Sequence, residues 1–331
     1  PEADSKPNTS ELYFSQYTQP ETNSSSNLRA SQLPKKLKYL ESQCEIEFDQ
    51  LKFVNRLGEG AFGEVWRGCL WDLDVAIKKL KGNFLRASPL EELADEVALL
   101  KSLRHPNCVL FLGFTKPPNF CIITEYLSLG SLRSLLDNPM IRLNSKIIVR
   151  IALSIARGMN YLHTQSPAIF HRDLNSHNIL CNKNWTIKVA DYGLSRTIDS
   201  SMEFCGAVPW QAPEVKSGLF LPESDVYSFG VVLWELVTRR LPWQGMIDMQ
   251  SVQQMVKEGK RPSIPAECPP LLSDLIERCW HQEALNRPSF HEIIEILKPY
   301  DKVKSPASSP AISPAIPKGN DLPLDTYLQN Y

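Results

Sequence analysis

The chain has 331 residues, of which 43% are apolar, and its formal net charge is −1 at pH 7. This balance gives no broad positive field to attract nucleic acid or an anionic membrane, and no apolar run approaches the roughly 18 residues that a membrane span needs. The length suggests about two folding units, and the apolar fraction is enough for a sizeable core.

The spacing of the cysteines indicates the cellular compartment of the protein. The eight cysteines are scattered and none belongs to a Cys-x-x-Cys pair, which argues against a zinc site or a disulfide framework. We therefore expect reduced thiols and a cytoplasmic protein, with the nucleus as the alternative. Because the chain begins with Pro1 rather than Met, we also expect additional domains outside it.

The N-terminal segment, residues 1–47, is rich in Ser, Thr, Asn, Gln and Pro. It carries too little apolar surface to offset the entropy of ordering, so it is predicted to be disordered. Its small basic cluster, Lys35-Lys36-Leu37-Lys38, fits a solvent-exposed segment before the folded domain better than a targeting signal.

A glycine-rich segment, Leu57 to Val65, follows extended chain at residues 51–54. Its glycines would let backbone amides approach phosphate oxygens without a Cβ in the way. Taken alone, Gly-x-Gly-x-x-Gly also fits a hairpin turn or a dinucleotide site, but Val65 and Trp66 continue as a strand where a dinucleotide fold would begin a helix. Lys78 ends the next predicted strand, from which its ammonium could reach a phosphate. In isolation it would be a surface lysine.

A helix is predicted to begin at Ser88, with Glu91 completing a capping box. Its apolar residues recur at helical spacing and form one buried face. Glu96 lies beside that face and could point inward, whereas its acidic neighbours are expected to be solvated. Two apolar strands follow, at residues 109–114 and 120–124.

A long helical pattern at residues 144–164 has one broad apolar face and fits a core helix. It leads to a loop in which Asp173 and Asn178 lie five residues apart, and Asp191 follows a second apolar stretch. Each of the three, taken alone, also fits an ordinary turn. Together they suit one carboxylate that holds a hydroxyl and two oxygen ligands that hold Mg²⁺.

In this order the segments resemble the protein kinase signature set. The resemblance rests on the glycine segment, Lys78, His171-Arg172-Asp173 with Asn178, Asp191-Tyr192-Gly193 and Ala212-Pro213-Glu214. Residues 68–71, 75–79 and 104–118 resemble, more narrowly, the tyrosine-kinase-like (TKL) group, which is mostly Ser/Thr-specific despite its name. The run from His171 to Asn178 is similar to the catalytic loop of LIM kinases.

The resemblance implies ATP, Mg²⁺ and protein substrates. Asp173 would accept the proton of the substrate hydroxyl or orient that hydroxyl, Lys78 would pair with Glu96, and Asn178 and Asp191 would hold Mg²⁺. The implied nucleotide site comprises the glycine segment, the adenine sandwich, the gatekeeper and the hinge. Its residues are Leu57, Gly58, Glu59, Gly60, Ala61, Phe62, Gly63, Glu64, Val65, Ala76, Lys78, Thr124, Glu125, Leu127 and Leu180.

The resemblance also implies an activation segment between Asp191 and Glu214, regulated by an upstream kinase. Its hydroxyl residues are Ser195, Thr197, Ser200 and Ser201. Each separately fits an ordinary loop hydroxyl, but a phosphate on one of them could pair with Arg172. Two supporting contacts are expected: Glu214 with Arg287, and Asp225 with the backbone of His171 and Arg172.

Three departures from the kinase pattern favour a rival interpretation. Asn175 stands where Ser/Thr kinases usually have a lysine, Ala207 stands where they usually have a threonine, and Tyr192 replaces the usual Phe. LIM kinases lack that threonine and are still catalytic, so we expect activity. Tyrosine kinases have an arginine in this loop where this chain has Asn175 and His177, so we expect a Ser/Thr kinase, with dual specificity open. The rival is a pseudokinase, that is, a nucleotide-binding scaffold with little or no turnover.

The predicted fold is α+β and two-lobed: a small antiparallel β-sheet lobe with one helix and a larger, mainly α-helical lobe. We place the kinase domain at residues 48–300, with the small lobe at 48–124, the hinge at 125–127 and the large lobe at 128–300. Residues 301–331 form a Pro- and Ser-rich tail that is predicted to be disordered. Its three Ser-Pro pairs fit either a linker or targets of proline-directed kinases.

Overall fold

The computed structural model describes residues 44–59, 63–80, 97–116, 119–192, 207–246 and 248–301. Expectations for residues 1–43 and 302–331, for the start of the helix at Ser88 and for the activation-segment hydroxyls lie outside these residues. The same holds for four predicted site residues: Gly60, Ala61, Phe62 and Glu96. The disorder predicted as far as residue 47 and from residue 301 was wrong at those margins: Ile46 is buried and its N–H donates to Phe114 O at 2.9 Å, and Asp301 is the last residue of a helix. No helix in the described part is long and apolar enough to cross a membrane.

The first part of the described chain is a five-stranded antiparallel sheet in the order β1-β2-β3-β5-β4. The strands are β1 (Lys52–Glu59), β2 (Gly63–Leu70), β3 (Leu73–Leu80), β4 (Phe111–Phe114) and β5 (Cys121–Glu125), with helical residues 97–102 (α1) before β4. The strand predicted from residue 109 begins two residues later. The reason is that Val109 N donates to Val189 O (2.9 Å) and Leu110 N to the Glu125 carboxylate (2.7 Å), so neither amide joins the sheet.

Strand register separates a core face from a site face. Val65 lies opposite Lys78, and Ala76 lies opposite Thr124. Directly opposed residues in antiparallel strands share a face, and so do residues two apart on one strand. These four side chains therefore lie on one face. The other face carries a buried core that includes Ile77 and Ile123.

A second sheet has the order β6-β7-β8, with β6 (Gly130–Ser131), β7 (Ile179–Cys181) and β8 (Ile187–Val189). Asn178 immediately precedes β7, and Asp191 follows two residues after β8. The antiparallel pairing of Ile179 with Val189 brings these two ends together. Ala190 N donates to Asn178 O at 2.8 Å, so the two predicted metal ligands lie on adjoining backbone.

The remainder is mainly helical: α2 (Leu132–Asp137), α3 (Ser145–His163), α4 (Pro222–Thr238), α5 (Met249–Lys257), α6 (Pro270–Cys279) and α7 (Phe290–Asp301). The predicted helix over 144–164 is confirmed as α3, whose first turn is capped by the Asn144 side chain accepting from Ile147 N. Helix α4 is buried from Ser224 to Leu236, as a nearly all-apolar sequence predicts. The two-lobed α+β architecture is confirmed.

Candidate active site

The loop that carries Asp173 is anchored by a carboxylate in α4. Asp225 Oδ2 accepts from His171 N (2.9 Å) and contacts His163 Nε2 (2.8 Å), and Oδ1 accepts from Arg172 N (2.9 Å). Burial would raise the pKa of Asp225, but the hydrogen bond and charge of His163 outweigh it, so the pKa lies below its ordinary value. The predicted contact of Asp225 with the backbone of His171 and Arg172 is confirmed.

His171 joins this loop to the segment that carries Asp191. Its Nε2 contacts Ala190 O at 2.9 Å, and Asp173 N donates to its Nδ1 at 3.3 Å. Because Nε2 faces a carbonyl oxygen and Nδ1 accepts from an N–H, the proton of the imidazole ring is on Nε2. Arg172 (φ 66°) and Asp191 (φ 58°) both adopt the left-handed region, which is uncommon for residues other than glycine. Such strained backbone concentrates at functional sites.

The Asp173 carboxylate is held by three donors. Oδ1 accepts from Asn175 Nδ2 (3.0 Å) and from the main-chain N of Ala207 (2.9 Å), while Oδ2 accepts from Asn178 Nδ2 (2.9 Å). The sequence predicted that Asp173 and Asn178 act together. The Ala207 contact was missed, because a backbone amide leaves no side-chain signal.

Lys78 and Asp191, which were both predicted to lie at the phosphate site, contact each other. Lys78 Nζ lies 2.8 Å from Asp191 Oδ1, and the Asp191 side chain is 47% exposed. Shielding by the surrounding protein would raise the pKa of Asp191, but the charge and hydrogen bond of Lys78 prevail and lower it. The predicted partner Glu96 lies outside the described residues.

The side-chain oxygen atoms of Asn178 and Asp191 are suitable ligands for Mg²⁺. The Asn178 carboxamide nitrogen donates to both the carboxylate and the carbonyl of Asp173 (2.9 Å each), which leaves its amide oxygen for other partners. A carboxylate and an amide oxygen are hard ligands of the kind that Mg²⁺ prefers, and phosphate oxygens and water complete such sites.

The described residues of the predicted nucleotide site form two surfaces. One is the sheet face with Val65, Ala76 and Thr124. The other is an apolar cluster, in which Leu127, Val109 and Ala190 are buried and Leu180 packs against them. Leu57, Gly58 and Glu59 lie on β1, and Gly63 and Glu64 on β2. A Cβ at Gly63 would lie 2.2 Å from Lys79 O, so only glycine fits there.

The side chain of Glu125 has a role that the sequence did not reveal. Its Oε1 accepts from Lys188 Nζ (2.6 Å) and from Leu110 N (2.7 Å). This ion pair joins β5, at the start of the predicted hinge, to β8. The carboxylate of Glu125 thus stabilises the chain where β5 meets β8 and the segment before β4.

Two further buried contacts support the loops around Asp173. Glu214 binds Arg287 through two hydrogen bonds (2.7 and 2.9 Å), as predicted. A second network was missed: Glu235 accepts from Trp210 Nε1 (2.7 Å), Ser176 Oγ (2.8 Å) and Arg133 (3.0 Å). Burial raises the pKa of Glu235 to about 7. The available signal was a single glutamate within the apolar run Phe229–Val237 of α4.

The buried hydroxyl of Tyr192 has a polar partner. The hydroxyl donates to Val109 O at 2.6 Å, and burial raises the pKa of the phenol. The bond holds the residue after Asp191 against the segment that leads into β4.

Comparison with known proteins agrees with this geometry. Residues 51–297 match the family model described as protein tyrosine and serine/threonine kinase. Similar proteins include the probable serine/threonine-protein kinase SIS8 of Arabidopsis thaliana (43% identical over 86% of this chain and 28% of that protein). Others are the serine/threonine-protein kinase CTR1 of the same plant (43%, over 79% of this chain and 33% of that protein) and the probable serine/threonine-protein kinase drkA of Dictyostelium discoideum (39%, over 78% and 41%). The chain thus spans less than half the length of each relative.

Proposed function

This chain belongs to the protein tyrosine and serine/threonine kinase family, and on that premise we propose that it transfers the γ-phosphoryl group of ATP to Ser and Thr hydroxyls of proteins. The observation that carries the proposal is the convergence of Lys78, Asp191 and the Asp173–Asn178 pair. Relatives at 39–43% identity that bear serine/threonine kinase names support the choice of acceptor.

Each site residue has a proposed task. Asp173 accepts the proton of the incoming hydroxyl or orients that hydroxyl, and Lys78 neutralises phosphate charge with Glu96 as its partner. The amide oxygen of Asn178 and the carboxylate of Asp191 would hold Mg²⁺, which would supply positive charge next to the phosphate oxygens. Adenine is held between Val65 and Ala76 on one side and Leu180 on the other, with its polar edge on the hinge backbone.

The similarity of the catalytic loop to that of LIM kinases supports activity despite Asn175 and Ala207. The main-chain N–H of Ala207 reaches Asp173 without the usual threonine hydroxyl. We propose that the chain prefers Ser and Thr acceptors over Tyr, and an assay can decide whether it also phosphorylates Tyr. Initial rates on a peptide array that offers Ser, Thr and Tyr acceptors in matched sequences would answer this question, and a Tyr rate equal to the Ser and Thr rates would contradict the preference.

The decisive test compares the wild type with Asp173→Asn at matched Mg²⁺, scored by transfer of labelled phosphate to protein. Loss of a positioned base should lower kcat about 100- to 10,000-fold. Asp274→Asn is the matched control, because that aspartate is 65% exposed on α6. The pseudokinase alternative predicts that Mg-ATP raises the melting temperature of the wild type without any phosphorylated product, and this result would refute the proposed function.

We also propose the setting suggested by the sequence: a kinase domain at 48–300, flanking segments without a fixed fold before residue 44 and after residue 301, and a cytoplasmic location. An upstream kinase acting on Ser195, Thr197, Ser200 or Ser201 would regulate it. Limited proteolysis tests the limits, fluorescence microscopy tests the location, and rates of the four Ala variants test the regulation.

A further inference from the structure

We propose that Asn175 is a positioning residue for phosphoryl transfer: it fixes the Asp173 carboxylate, together with the main-chain N–H of Ala207. The inference rests on the proposed kinase function and deepens it. At this position the resemblance indicated only a missing positive charge, whereas the structure shows a buried amide that makes four hydrogen bonds.

The Asn175 carboxamide uses both of its ends. Its Nδ2 donates to Asp173 Oδ1 (3.0 Å) and Asp173 O (3.1 Å). Its Oδ1 accepts from the main-chain N of His177 (2.9 Å) and of Asn178 (3.2 Å). One short side chain thus links the proposed base to the backbone of the proposed metal ligand.

These partners permit one orientation of the amide. A flipped carboxamide would place its oxygen against the Asp173 carboxylate and its NH₂ against two N–H donors, so both sets of hydrogen bonds would be lost. Asn175 is also 3% exposed, so water cannot readily replace them. The residue therefore has a fixed rotamer, as a positioning role requires.

The consequence is a choice between the two oxygens of Asp173. Oδ1 accepts from Asn175 and Ala207, which uses both of its lone pairs. Within the described part of the chain, Oδ2 accepts one hydrogen bond, from Asn178. The remaining lone pair on Oδ2 is thus the acceptor for the substrate hydroxyl, and Asn175 determines where it points.

Two substitutions separate this role from a purely structural one. Asn175→Asp keeps the size of the side chain and the two accepted backbone hydrogen bonds, but removes the donor to Asp173. Asn175→Ala removes all four hydrogen bonds without adding charge. The matched controls are Asn184→Asp and Asn184→Ala, because Asn184 is exposed in the β7–β8 turn.

The experiment measures steady-state peptide phosphorylation and melting temperature for the full chain and all four variants. We expect both Asn175 variants to lose about 10- to 100-fold in kcat, with the KM for ATP within about 2-fold because the loop lies apart from the sheet face. Asn175→Asp should melt within a few degrees of the wild type, and the controls should keep wild-type kinetics.

Other outcomes separate the two proposals. Wild-type kcat in Asn175→Asp would show that only the turn matters and would overturn the inference alone. Wild-type kcat in Asn175→Ala would also overturn it, because added charge would then explain any loss in Asn175→Asp. Should Asn175→Ala fail to fold, Asn175→Asp decides. A wild type without phosphotransfer would overturn the proposed function and this inference with it.

Discussion

Replacing Ala207 by proline would remove one hydrogen-bond donor from the site while preserving the local backbone. Ala207 N donates to Asp173 Oδ1 at 2.9 Å. Its φ of −73° lies within the range that proline adopts, about −65 ± 15°. The Ala207 carbonyl, which accepts from Trp210 N at 3.0 Å, is unaffected. The substitution therefore tests the amide itself.

The size of the effect follows from the charge of the acceptor. A hydrogen bond to an ionised group contributes about 1.5–3 kcal/mol. If Asp173 needs this bond to orient the hydroxyl in the transition state, its loss lowers kcat about 10- to 150-fold. The KM for ATP should stay within about 2-fold, because the sheet face of the nucleotide site lies on β2, β3 and β5.

The assay is the initial rate of peptide phosphorylation at saturating Mg-ATP. Glu47→Pro is the matched control, since Glu47 is exposed and has nearly the same φ, −68°; it should retain the wild-type rate. A wild-type kcat in Ala207→Pro, with an unchanged melting temperature, would refute the reasoning that this amide positions Asp173.

Two further predictions concern stability. Tyr192→Phe removes the 2.6 Å hydrogen bond to Val109 O, so the free energy of unfolding in urea should fall by about 1 kcal/mol with kcat within about 2-fold; an unchanged stability would contradict this. Burial opposes ionisation of Glu214, but the hydrogen bonds and charge of Arg287 lower its pKa below the ordinary 4.5. Its contribution to stability is thus present above about pH 4.5 and is lost as the pH falls through the lower folded-state pKa. Glu214→Gln should flatten the unfolding free energy over that acidic window, measured in urea between pH 7 and pH 3, and an equally steep profile would count against this pair.

Much of the fold followed from local pattern. The helix predicted at residues 144–164 was found at Ser145–His163. Periodic apolar residues and polar caps act over a few residues, so neighbouring sequence specifies them. Element ends were less accurate: the strand predicted from residue 109 begins at Phe111.

The candidate site residues were proposed from sequence, because their order along the chain resembles a known family. Lys78, Asp173, Asn178 and Asp191 converge as that resemblance required. The positioning role proposed for Asn175 could not be predicted from the sequence in this way. Sequence alone showed a neutral residue where a charge was expected, and it contained nothing about the burial of that residue or its four partners.

The amino-acid sequence by itself indicated the long helix α3, the main strands of the first sheet, the family and the candidate catalytic side chains. Only the tertiary structure decided how those side chains are held. The Lys78–Asp191 pair joins residues 113 positions apart, and Arg133 reaches Glu235 across 102. Such contacts depend on strand register and on the packing of distant segments. The Ala207 contact uses a backbone N–H, which every residue except proline has, so the side chain at this position could not have predicted the contact.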